Sequence, residues 1–64
     1  MDIFYKYAIT IFFNDGSSFK NYVSNKAELE EFKKDFYECK KELLYVSHAV
    51  VTYWITGIVA DTWL

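Results

Sequence analysis

From Ile3 to Phe13 the chain alternates. Ile3, Tyr5, Tyr7, Ile9, Ile11 and Phe13 share one face, while Phe4, Lys6, Ala8, Thr10 and Phe12 share the other. A period of two among β-branched and aromatic residues predicts a strand. Asn14-Asp15-Gly16 follows and marks a hairpin. A two-residue Asp-Gly loop would set Ile11 opposite Lys20. A three-residue loop with Gly16 left-handed sets Ile11 opposite Phe19 and Tyr7 opposite Val23. The second keeps apolar residues together on the core face, so it is the predicted register, with a second strand from about Ser18 to Val23.

The period then changes. Leu29, Phe32, Phe36, Cys39 and Leu43 recur at spacings of three and four, the apolar stripe of an amphipathic helix. Asn25 offers its N-cap and Glu28 the third position of a near capping box. Glu30 with Lys34 and Glu38 with Lys41 are spaced to pair along the helix surface.

Residues 43–60 contain no charge, a run near the lower limit for a membrane-spanning helix. Ser47, His48, Thr52, Thr56 and Gly57 interrupt it, and eight of its residues are β-branched, which favours a strand. In that strand Ala49, Val51, Tyr53 and Ile55 share one face; His48, Val50, Thr52, Trp54 and Thr56 share the other. Gly57 marks a bulge or turn, with Ile58 to Leu64 as a fourth strand or a tail. The expected architecture is α+β: an antiparallel sheet of three or four strands with one helix on one face, in the order ββαβ(β), as a single domain over 1–64.

Composition sharpens this. Fourteen of the 64 residues are aromatic, and of seven lysines and nine carboxylates eleven lie between Lys26 and Glu42. The helix is therefore heavily solvated and the rest of the surface nearly bare of charge. With no arginine and a net charge of −2, nucleic acid is not the expected partner. A single cysteine excludes an internal disulfide, and the N-terminus lacks the basic start and cleavage site of a secretory signal. The expected compartment is the cytoplasm.

No constellation points to catalysis. His48 is the only histidine, has no serine, cysteine or carboxylate at motif spacing, and reads as a polar residue near a strand start. Cys39 falls on the apolar stripe, where a thiol is expected to be buried and inert. Glu28, Glu30, Glu31, Asp35, Glu38 and Glu42 are interleaved with lysines and read as a solvated face, not a metal or acid–base site. Gly16 and Gly57 are isolated, so no phosphate loop is present. A non-enzymatic protein with no cofactor and no metal is expected.

The informative feature is the sheet face away from the helix, expected to collect Phe4, Ala8, Phe12, Tyr22, Val50 and Trp54, relieved by Lys6, Thr10, Lys20, His48 and Thr52. Contiguous apolar patches beyond roughly a few hundred Å² mark interaction sites. Tyrosine and tryptophan are favoured anchors there. The expected partner-binding residues are Phe12, Tyr22, Tyr53 and Trp54, with Trp63 as a tail anchor. The expected partners are a second copy of the chain and a host protein. Two other readings stand beside this one: a small membrane protein spanning at 43–60, and a single-stranded nucleic-acid binder. The latter would use the lysines interleaved with aromatics at Tyr5-Lys6-Tyr7 and Phe19-Lys20-Asn21-Tyr22. It is weakened because alternation sends Tyr5 and Tyr7 toward the helix.

The Ile9-Thr10-Ile11 strand, the Asp15-Gly16 turn, the Phe19 to Val23 strand and the capped helix after it give a layout that resembles very small phage-encoded inhibitors of host enzymes or defence systems. It is similar in particular to the small Bacillus-phage inhibitors of uracil-DNA glycosylase. The resemblance covers residues 5–56 and is one of element order, without a specific motif. It implies a steric, protein-binding inhibitor acting in the host cytoplasm. That family is strongly acidic and mimics DNA, whereas this chain carries −2; the resemblance therefore carries the general role and no functional residue.

Overall fold

The computed structural model describes residues 5–64; the expectations for Ile3 and Phe4 lie outside the described residues. Five elements follow one another: β1 (Tyr7–Phe13), β2 (Ser18–Val23), α1 (Lys26–Glu42), β3 (Val46–Tyr53) and β4 (Val59–Trp63). The strands form one antiparallel sheet in the order β2-β1-β3-β4. This is the α+β architecture read from the sequence, with the C-terminal segment forming the fourth strand.

Turn chemistry sets the first hairpin. Phe13 donates its N–H to the Ser17 carbonyl, Gly16 donates back to Phe13, and Gly16 takes φ +91°, a region glycine enters without steric cost. The loop is the three-residue one, and the register places Ile11 opposite Phe19 and Tyr7 opposite Val23. Asp15 accepts from the Ser17 hydroxyl at 2.6 Å and from the Ser17 N–H at 2.9 Å. These bonds, the hydroxyl's first, hold its carboxyl below the usual range.

Asn25 caps the helix by accepting from the Glu28 N–H at 2.8 Å. The Glu28 carboxylate reaches back to the Ser24 N–H at 2.9 Å, one residue earlier than in a standard capping box. Leu29 and Phe36 are buried and Phe32 is half-buried. The ring of Trp63 packs 6.5 Å from Phe32 and 5.6 Å from Phe36 between centroids. The core beneath the helix is completed by Tyr7, Ile9, Val23, Val46, Ala49 and Val51.

Two expected core or partner assignments change here. Trp63, expected as a tail anchor for a partner, is 1% exposed and is the largest fully buried side chain among the described residues. The cause is the pairing of β4: Trp63 lies opposite Ala49, whose small side chain leaves room for the indole under the helix. Phe19, expected in the core, is 55% exposed. The helix leaves β2 beside Val23 and reaches toward Trp63 on the opposite edge strand, so the far end of β2 is uncovered.

The alternation read for the third strand also changes. It ends at Tyr53, and residues 54–56 turn back toward β4 through Gly57 at φ +74°. The uncharged run 43–60 is thereby divided among a helix cap, two strands and a turn. Among the described residues no helix is long and apolar enough to cross a membrane.

Two outcomes test this packing. Trp63→Ala is expected to cost about 3–5 kcal/mol, the range for truncating a large buried aromatic, read as a lower midpoint in urea denaturation. A carboxyl with a depressed folded pKa stabilises the fold above its unfolded pKa, and the stabilisation is lost as pH falls through the folded value. Stability is therefore expected to fall as pH drops below about 4, and Asp15→Asn is expected to flatten that part of the profile.

Candidate functional site

Three departures from regular pairing decide which side chains reach the helix-free face. At the N-terminal end of β1, Tyr7 lies opposite Val23, yet Lys6 donates its own N–H to the Val23 carbonyl at 2.8 Å. Two consecutive residues thus face one, a bulge that shifts the alternation by a residue. Tyr5 accordingly reaches the helix-free side, where its ring lies 5.3 Å from Tyr22 and 6.4 Å from Trp54. Lys6 instead lines a groove beside Ser24 and Tyr53. The expectation that Tyr5 points to the helix and Lys6 to the open face is reversed. At β3, Phe12 pairs with His48 and Phe13 with Val46, leaving Ser47 as the extra residue. At β4, Val51 pairs with Asp61 and Thr52 with Val59, leaving Ala60 extra.

The open face therefore holds two aromatic groups. Tyr5, Tyr22 and Trp54 form one, with Tyr22 and Trp54 edge to face at 4.9 Å and 78°. Phe12 and His48 form the other, stacked at 4.8 Å and 16°. Ala8, buried at 4%, lies opposite Tyr22 on one side and Thr52 on the other. By register Thr10, Ser18, Lys20, Val50, Val59 and Thr62 complete the surface, with Val59 exposed. No carboxylate lies in these rows, and Lys20 on the edge strand is their one lysine.

Of the five expected contact residues, the structure brings Phe12, Tyr22 and Trp54 onto this face. Tyr53 points to the helix side and packs on Tyr7 at 5.5 Å; Trp63 is core. Tyr5 is the residue that sequence reasoning missed. A bulge at Lys6 has no compositional mark, and strict alternation assigns Tyr5 to the wrong side.

Groups that could carry chemistry lie apart. The Ser47 hydroxyl lies 2.9 Å from His48 Nδ1, a contact not expected from the sequence and created by the bulge at Ser47. It sits on the flat sheet face, outside the two apolar grooves. One of these, about 490 Å³, is lined by Tyr5, Lys6, Ser24, Tyr53, Ile55, Thr56 and Ile58. The other, about 260 Å³, runs between the second half of the helix and the sheet, past Ile11, Phe32, Asp35, Cys39, Leu43 and Tyr45. Cys39 is exposed at its rim, correcting the expectation of a buried thiol. The helical stripe fixes which face Cys39 occupies, but an open groove separates this part of the helix from Ile11, Phe13 and Val46 of the sheet. Among the described residues no group of histidine, cysteine and carboxylate side chains is arranged to hold a metal ion.

No family model, curated protein or solved structure matches the chain.

The exposure of Cys39 gives a direct check. The folded protein is expected to react with a thiol-selective disulfide reagent at a rate close to that of a small free thiol. A thiol that reacts only after denaturation would restore the buried assignment.

Proposed function

We propose that this chain is a non-enzymatic protein-binding module that occludes a functional surface of a host protein, the mode of a small phage-encoded inhibitor. The observation that carries the reading is the helix-free face, where Tyr5, Tyr22 and Trp54 pack against one another while Trp54 stays 46% exposed. Aromatic side chains held by their neighbours lose little freedom on binding, so the area they bury is converted to affinity with a small entropic cost. In the free protein the same face is proposed to be shared between two copies of the chain.

The arrival of Tyr5 on this face also favours a second reading, a platform on which single-stranded nucleic acid stacks. Electrostatics oppose it. The bulge that delivers Tyr5 removes Lys6, leaving Lys20 as the face's lysine, and backbone neutralisation needs a cluster of cations. Protein is therefore the proposed partner class.

Trp54→Ala is expected to weaken partner binding and self-association by about 2 kcal/mol, roughly thirtyfold, as loss of an anchor does, with helix content by circular dichroism unchanged. The assay compares capture from host lysate by the two proteins, with their masses in solution measured alongside. Equal capture by both would remove the face from the reading. Salt-sensitive retention on an oligonucleotide column would replace protein by nucleic acid as the partner.

A further inference from the structure

A four-stranded open sheet has two edges, and each is a template for a strand of another chain. Here the edges are β2 and β4. Hydrogen bonds fix which of their amides face outward. Tyr53 donates to Ile58 and Trp54 to Lys6, so odd-numbered residues near the end of β3 face β4 and even-numbered ones face β1. Carried across the register, Asn21 and Val23 face β1 while Lys20 and Tyr22 turn their N–H groups outward. On the other edge Asp61 and Trp63 face β3, and Thr62 turns its N–H outward.

Two of these outward amides are already occupied. The Tyr22 N–H donates to Asn21 Oδ1 at 2.8 Å, and the Thr62 N–H donates to Asp61 Oδ1 at 2.9 Å. The two acceptors sit in one row across the sheet, Asn21-Ile9-Val51-Asp61, with Ile9 and Val51 fully buried at its centre. Asp61 is held in place by its other oxygen, which accepts from Trp63 Nε1 at 3.1 Å and lies 3.8 Å from Lys33 Nζ.

We propose that Asn21 and Asp61 close the two edges of the sheet to a strand of a second copy of this chain. Each side chain takes one outward N–H that a fully paired added strand would use, so such pairing must first break a bond already made. An amide in competition of this kind is a poorer donor than a free one, by the roughly 1 kcal/mol of a net hydrogen bond. The inference is independent of what the open face binds, since it concerns the rims of the sheet and not its surface.

Amide exchange of the intact chain by NMR tests it directly. The Tyr22 and Thr62 amides are expected to exchange about fivefold to tenfold more slowly than the outward Lys20 amide. Asn21→Asp, which keeps an acceptor, is expected to preserve the protection at Tyr22, and Asn21→Ala to abolish it. Asn21→Val, which removes the acceptor and adds a β-branched edge residue, is expected to reach a larger solution mass than the parent at the same concentration, with Ser18, Lys20 and Tyr22 amides gaining protection together. Tyr22 and Thr62 amides exchanging as fast as Lys20 in the parent protein would overturn the proposal. So would an unchanged solution mass for folded Asn21→Val. If Asn21→Val does not fold, the parent's exchange rates and Asn21→Ala decide the question alone.

Discussion

The indole of Trp63 is the constraint on which this domain depends. A chain of about this length buries only roughly 60% of its unfolded surface, and here the largest fully buried side chain among the described residues comes from the edge strand β4. For the indole to enter the core, β4 must pair with β3, Ala49 must be small, and Phe32 and Phe36 must reach across to it. Its N–H must also be satisfied, which Asp61 does two residues earlier. Phe32 and Phe36 thereby tie the helix to β4, while Phe19 at the far end of β2 and Cys39 on the helix's apolar stripe stay exposed.

Where a local signal had one physical meaning, the sequence was sufficient. Asn14-Asp15-Gly16 with apolar residues in alternation leaves one register that keeps Ile11 and Phe19 on the same face. Asn25 with Glu28 leaves one place for the helix to begin. The losses come from bulges. Each extra residue, near Lys6, at Ser47 and at Ala60, shifts the phase of a period-two pattern while leaving composition unchanged. Tyr5 and Lys6 exchange faces for that reason. Val-Ala-Asp-Thr-Trp does not alternate in hydropathy, so nothing in the segment announced that Trp63 would be core.

The candidate surface was legible in kind but not in membership. Phe12, Tyr22 and Trp54 reach it because strands β1 and β2 keep their expected phase and Trp54 lies next beyond β3. Tyr53, one residue earlier, faces the other way, and its expected role beside Trp54 could not survive adjacency on an extended strand. Phase also decides the chemistry of the face. One bulge adds a tyrosine and removes a lysine, which turns a cationic aromatic strip into a nearly uncharged one.

The row Asn21-Ile9-Val51-Asp61 shows how one line of residues meets two demands that usually conflict. A half-buried sheet needs β-branched residues in its centre, and the same residues carried to an edge would invite another strand. Here the row changes character on reaching the two edge strands. The amide and the carboxylate at its ends are polar enough to stand at the rim and short enough to bend back onto the next backbone N–H. Burial of Trp63 reinforces the arrangement, because the indole that fills the core also orients the Asp61 carboxylate at the edge. Core formation and edge closure are thus coupled through a single side chain.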